Sequence, residues 1–144
     1  MQRVNLFDFW RGKMGEQSNR QGAAKDLASG ALLASAPTWI LTYVLMAYGF
    51  RGTPIQTAVL LNLSAMGCSA LAASLVARKT GLEARRIGLT LGLLAYIMYA
   101  IFLTIVGFRG DLIEETSPLT GFFVGSALGS KLVENRQKLK PDPP

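Results

Sequence analysis

Long runs of apolar residues, separated by short stretches rich in Arg and Lys, constrain this chain more than any other feature. Three runs cover about residues 30–50, 55–77 and 87–108, and a weaker fourth covers 112–133. A helix rises about 1.5 Å per residue, so each run would span about 30 Å, the thickness of the hydrocarbon layer of a bilayer. We therefore predict an all-α integral membrane protein, a bundle of four transmembrane helices over residues 30–136.

The fourth run is less apolar than the other three. Its apolar centre, residues 118–130, is shorter than the roughly 17–25 residues usual for a spanning helix. Extension through Leu132 and Val133, with the Lys131 side chain reaching back to the interface, would complete a span. A tilted or half-inserted helix is the alternative.

The basic residues predict the orientation of the bundle. Five of the 15 Lys and Arg residues precede the first run, four lie between the second and third, and four lie at the C-terminal end. Only Arg51 and Arg109 fall on the other side. Cytoplasmic segments carry an excess of Lys and Arg, so we expect a multi-pass protein of the cell membrane with both termini in the cytoplasm.

An internal repeat predicts two tandem helical hairpins. The tetrapeptide Gly-Phe-Arg-Gly at residues 49–52 recurs at 107–110, and matching positions continue into the flanking runs. The repeat units would be about 30–79 and 88–136, with Gly30 matching Gly88 and, after a one-residue deletion, Ser69 matching Ser126. Both units would start and end in the cytoplasm, so the two hairpins would be parallel. Alternatively, the tetrapeptide is only a convenient way for a helix to leave the membrane.

Small residues at helical spacing predict where helices pack. Such residues let helix backbones approach closely, and helix association in lipid depends on this close packing. The partner helix could be internal, in a second copy of the chain, or in another subunit. The candidate helix-packing positions are Ser117, Gly121, Gly125 and Gly129 in the fourth run, Ala65, Ser69 and Ala73 in the second, and Gly88 and Gly92 in the third.

Asn62 is the one strongly polar side chain near the middle of a predicted span. An unbonded amide is costly in lipid, so we interpret Asn62 as a hydrogen-bonded tie between helices, with a pore-lining role as the alternative. Hydroxyl residues such as Thr42, Ser64 and Thr104 can bond the backbone of their own helix.

Residues 1–29 form a polar N-terminal segment that begins with an amphipathic stretch. Phe7, Phe9 and Trp10 could anchor a short helix in the lipid headgroup region or dock onto a partner protein. Residues 15–27 resemble a polar linker in composition, and residues 137–144 a disordered tail. Arg51 and Arg109 are further candidate interfacial anchors, just outside the membrane.

The residue types disfavour catalysis. The chain contains no histidine, and no Asp, Glu, Lys or Arg lies deep in a predicted span. We expect no catalytic, metal or cofactor site. The net charge of +6 flanks apolar runs and is not gathered on a soluble face, so we expect no nucleic-acid binding.

These observations favour a non-catalytic role, as an accessory, assembly or scaffold subunit of a larger membrane complex. The expected partners are the lipid bilayer and other membrane subunits or a second copy of the chain. The alternative is a small homo-oligomeric channel or transporter, with Asn62 near the pore.

The orientation yields a direct test with reporter fusions. Green fluorescent protein fused to either terminus should fluoresce, because it folds in the cytoplasm, whereas alkaline phosphatase should be inactive there. The same phosphatase fused after Arg51 should be active. Active phosphatase at only one of the two termini would contradict an even number of spans.

Overall fold

The computed structural model describes the backbone of residues 6–48, 53–80, 83–108 and 111–138, and most side chains from Gln21 onwards. Within these residues the chain has four helices and no strands, which confirms the all-α, four-helix prediction. The helices are α1 (Leu6–Ala47), α2 (Pro54–Thr80), α3 (Ala84–Val106) and α4 (Leu112–Lys138).

Three helical segments are long and apolar enough to cross a membrane: Gln21–Ala47 of α1, Pro54–Thr80 and Ala84–Val106. These segments agree with the three strong apolar runs of the sequence. Helix α4 is 27 residues long, sufficient for a span, but its apolar content does not place it in this group.

Helix α1 differs from its predicted form. The sequence predicts a polar linker over residues 15–27, whereas the backbone is helical without interruption from Leu6 to Ala47, including Pro37. The linker prediction is wrong because it inferred an irregular backbone from the polar composition of residues 15–27. Ala, Gln, Lys and Leu, which are good helix formers, make up much of residues 21–27.

Local signals set three of the helix ends. At the start of α2, Thr53 and Gln56 form a reciprocal capping box, and Pro54 occupies the first helical position. Helix α3 is followed by the capping residue Gly107, whose φ of 70° suits glycine, and the Phe108 N–H donates back to the Leu103 carbonyl. At the start of α4, the Asp111 N–H donates to the Glu114 carboxylate.

The helices run alternately up and down, so α1 is parallel to α3 and α2 is parallel to α4. Helices α1 and α4 each pack against both α2 and α3, while α2 and α3 touch more lightly across the bundle. Trp39 of α1 stacks on Phe102 of α3 with ring centroids 5.4 Å apart. The resulting ring order is α1, α2, α4, α3.

Large apolar side chains lie on both the inside and the outside of the bundle. The interior contains fully buried Leu61, Ile87, Leu91, Tyr99 and Phe122. More than half of the residue surface is exposed at many outward positions, including Ile40, Ile55, Leu71, Ile105 and Leu132. Water-soluble proteins rarely expose apolar surface on this scale, whereas lipid accommodates it.

Candidate functional site

Helices α2 and α4 approach so closely that glycines of α4 leave no room for a side chain. A Cβ on Gly125 would overlap the Met66 carbonyl oxygen and the Ser69 hydroxyl, and a Cβ on Gly129 would overlap the Ala70 carbonyl. One turn earlier, a Cβ on Gly121 would lie 2.5 Å from the Asn62 carbonyl oxygen. We call the region where Gly121, Gly125 and Gly129 meet α2 the α2–α4 contact. Its close approach depends on this stripe of three glycines.

Asn62 lies at one end of the α2–α4 contact and bonds across it. Its Nδ2 donates to the Ser117 carbonyl and to the Thr120 hydroxyl, each at 2.6 Å. The Thr120 hydroxyl in turn donates to the Ser117 carbonyl at 2.9 Å. Both N–H groups of the amide thus have partners on α4, as expected for a tie between helices.

Two serines add further hydrogen bonds to the α2–α4 contact. The Ser117 hydroxyl donates to the Ala58 carbonyl of α2 at 3.1 Å, and the Ser69 hydroxyl donates to the Gly121 carbonyl of α4 at 3.3 Å. Ser69 is fully buried. Of the remaining small residues predicted in α2, Ala65 faces Gly121 and Ala73 is buried in the core.

The other face of α4 packs against α3 through Gly88 and Gly92. A Cβ on Gly88 would lie 3.1 Å from the Ala127 Cα, and one on Gly92 would lie 3.2 Å from the Phe122 carbonyl oxygen. The Ser126 hydroxyl donates to the Gly88 carbonyl at 2.7 Å. Every predicted small position of α3 and α4 is therefore used inside the chain.

A second polar region lies between α1, α2 and α3. The Thr42 hydroxyl donates to the Thr38 carbonyl at 2.8 Å and lies 3.3 Å from the Tyr99 hydroxyl, while the Thr38 and Ser64 hydroxyls are 3.5 Å apart. We call Thr38, Thr42, Ser64 and Tyr99 the hydroxyl cluster. Sequence analysis missed it, although Ser35, Thr38 and Thr42 follow the spacing of one helical face.

Two small cavities meet the hydroxyl cluster at the end of the bundle where α3 turns into α4. One, of about 210 Å³, is lined by Tyr99, Phe108 and Glu115 among others. The second, of about 260 Å³, is lined by Thr42, Phe108 and Glu114 among others. A water molecule occupies about 30 Å³ in the liquid, so each cavity has room for several.

Among the described residues, no three His, Cys, Asp or Glu side chains lie close enough together to hold a metal ion. Cys68 is a free, half-buried thiol in α2. The predicted anchors Arg51 and Arg109, the side chains of Phe7, Phe9 and Trp10, and most of the predicted tail lie outside the described residues.

The chain matches no protein-family model, no curated protein and no solved structure. Chemically, the two polar regions consist of amide and hydroxyl groups bonded to neighbouring helices. Such groups hold helices together, and at the cavities they can also hydrogen-bond water or a small polar molecule.

Two glycine-to-alanine substitutions with different expected effects on stability test the α2–α4 contact. Gly125→Ala should lower the stability of the purified protein by about 1–3 kcal/mol, because the new methyl group forces the backbones apart. Gly67→Ala is the matched control. Gly67 lies in the middle of α2, and no neighbouring atom lies within 4 Å of the position that a Cβ would occupy. Alanine there should be neutral or should stabilise the helix by up to about 1 kcal/mol.

Stability is measured by denaturant titration in mild detergent, with helix content followed by circular dichroism. Equal effects of the two substitutions would contradict the close approach of α2 and α4.

A double-mutant cycle tests the tie made by Asn62. Asn62→Leu and Thr120→Val should each destabilise the protein, and their coupling free energy should be about 0.6 kcal/mol or more, because both changes remove the same bond. Thr104→Val is the control, since the Thr104 hydroxyl donates only to the Ala100 carbonyl of its own helix. Coupling between Asn62 and Thr104 as large as that with Thr120 would refute the tie.

Proposed function

We propose that this chain is a multi-pass protein of the cell membrane, with both termini in the cytoplasm and all four helices across the bilayer. The supporting observation is the register of α4 against α2. Gly121, Gly125 and Gly129 lie beside Asn62, Met66 and Ala70, which form the middle of α2. The two helices are parallel, and their middle parts lie side by side. If α2 crosses the bilayer, α4 therefore lies at the same depth in it.

The low hydropathy of α4 has a structural explanation under this proposal. Several of its small and polar residues face other helices: Gly125, Ser126, Gly129 and Ser130 are all buried. Its exposed face carries Val124, Leu128 and Leu132 at steps of four residues. An average over the whole helix therefore understates how apolar its outward face is.

We also propose that the bundle arose from two parallel hairpins. The equivalent helices of the two hairpins, α1 with α3 and α2 with α4, are parallel and pack side by side. Asn62 and Thr120, which correspond in the repeat before its one-residue deletion, hydrogen-bond to each other across the parallel helices. The corresponding Ser69 and Ser126 each donate to a carbonyl of a neighbouring helix.

For function, we propose a non-catalytic accessory, assembly or scaffold subunit of a membrane complex. The observation that carries this proposal is the length of α1. Asp26 of α1 pairs with Lys79, one residue before the end of α2, at 2.5 Å. The helical residues before Asp26 therefore extend past α2, by about 30 Å at 1.5 Å per residue.

This extension favours protein docking over insertion in the headgroup layer. A helix continuous with a membrane span leaves the bilayer along the direction of that span, so lying flat on the surface would require a sharp bend. Phe7, Phe9 and Trp10 belong to this extension. Aromatic side chains on a projecting helix are suited to bind a groove of a partner protein.

A small homo-oligomeric channel or transporter is the second candidate. The two cavities beside the hydroxyl cluster favour it. The channel ranks lower because the polar face of α1 is not continuous. This face carries Thr38 and Ser35 and then continues into buried Ala34 and Ala31, so the polar surface stops partway along the helix.

Gentle extraction tests the accessory function. The full chain with a C-terminal tag should co-purify with other membrane proteins, identified by mass spectrometry. The triple variant Phe7→Ala/Phe9→Ala/Trp10→Ala should stay in the membrane fraction but lose those partners at least tenfold.

The matched control removes three bulky side chains at the other end of α1 and just beyond it. Ile40→Ala/Tyr43→Ala/Tyr48→Ala changes exposed positions and should retain the partners. Recovery of the chain only as a homo-oligomer, together with ion flux in liposomes that Asn62→Leu abolishes, would favour the channel instead.

A further inference from the structure

A groove of about 600 Å³ opens between α3 and α4 on the outside of the bundle, at the end near the α2–α3 connection. Its volume is in the range of ligand sites, about 300–1,000 Å³. The groove exists because Gly88 and Ala127 are small where the two helices cross. Its walls are otherwise apolar at one end, with Leu89, Phe123 and Val124.

The opposite end of the groove is cationic. Gly88 packs against Ala127 and Ser130, and α3 and α4 are antiparallel. One turn towards the end of the bundle, Arg85 of α3 is therefore level with Lys131 of α4, and both line the groove. The groove thus changes from apolar to cationic along the bundle axis.

Neither Arg85 nor Lys131 forms a salt bridge within the described part of the chain, although Lys138 and, to a smaller extent, Lys131 lower the pKa of Glu134. Glu134 also lines the groove, but its carboxylate is paired with the Lys138 ammonium at 2.5 Å. The groove end therefore retains an excess of positive charge.

We propose that this groove binds one anionic phospholipid of the cytoplasmic leaflet. The phosphate lies between Arg85 and Lys131, and an acyl chain follows Leu89, Phe123 and Val124 towards the middle of the bilayer. The positive charge of the groove lies at the depth of the lipid headgroups, and basic pockets between helices on the cytoplasmic side suit anionic headgroups. This inference rests on the proposed membrane insertion.

Lipid titration of the purified full chain tests the proposal. Native mass spectrometry in mild detergent compares phosphatidylglycerol with phosphatidylcholine of the same acyl chains. We expect preferential retention of phosphatidylglycerol, and Arg85→Gln/Lys131→Gln should weaken its binding about tenfold or more, because the variant lacks both charges that attract the phosphate. The control Arg78→Gln/Arg86→Gln removes two charges from the same end, outside the groove, and should change binding less than threefold.

A steric variant tests the apolar end separately. Ala127→Leu should fill the groove and reduce binding of phosphatidylglycerol, whereas Ala28→Leu, at an exposed position of α1 near the same end, should not. Circular dichroism and thermal unfolding confirm that each variant is folded.

Equal binding of the two lipids, or equal losses in the groove and control variants, would overturn the groove as a specific site. These outcomes are separate from failure of the membrane proposal, in which the wild-type chain would remain in the supernatant after cells are broken and centrifuged.

Discussion

The close approach of α4 to α2 is the contact on which the rest of the bundle depends. Where Gly125 and Gly129 meet Met66 and Ala70, the two backbones touch with no side chain between them. In lipid, an apolar side chain gains little free energy by moving from the acyl chains into an apolar protein interior. Helix association therefore relies on such close packing and on interhelical hydrogen bonds. The α2–α4 contact provides both, since Asn62, Ser69 and Ser117 add bonds beside the glycines.

This contact also explains how a helix of low hydropathy fits among three apolar ones. The three glycines of α4, together with Ser126 and Ser130, are buried against α2 and α3. The exposed positions Val124, Leu128 and Leu132 are apolar. Helix α4 packs against α2 and α3, and α1 packs against the same two helices from the opposite side. The polar groups of the bundle interior are largely bonded within the chain, and the two binding surfaces that we propose, the α1 extension and the α3–α4 groove, lie outside that interior.

The sequence was sufficient to predict four helices, because apolar runs of this length leave few alternatives in any solvent. It also identified the small residues of α3 and α4, because steps of four residues define one helical face. It did not identify which helix each face meets. Gly121 and Gly88 belong to similar stripes, but one packs against α2 and the other forms part of the α3–α4 crossing.

Two other features required the structure, for different physical reasons. The hydroxyl cluster joins residues from α1, α2 and α3, and periodicity within one helix contains no information about Tyr99 meeting Thr42. The sequence analysis did not predict the helical form of residues 15–27, because it relied on their polar composition. Polar composition indicates solvent exposure and does not by itself indicate an irregular backbone. Helix propensity was the better guide in that segment.

Chemical labelling of the two ends of α4 tests the central claim, that α4 crosses the membrane beside α2. In a Cys68→Ser background, single cysteines replace Asp111 or Arg136, both exposed. A membrane-impermeant maleimide should label Asp111→Cys in intact cells, and should label Arg136→Cys only after the membrane is permeabilised. Labelling of both positions from the same side would show that α4 does not span the bilayer and would contradict the account.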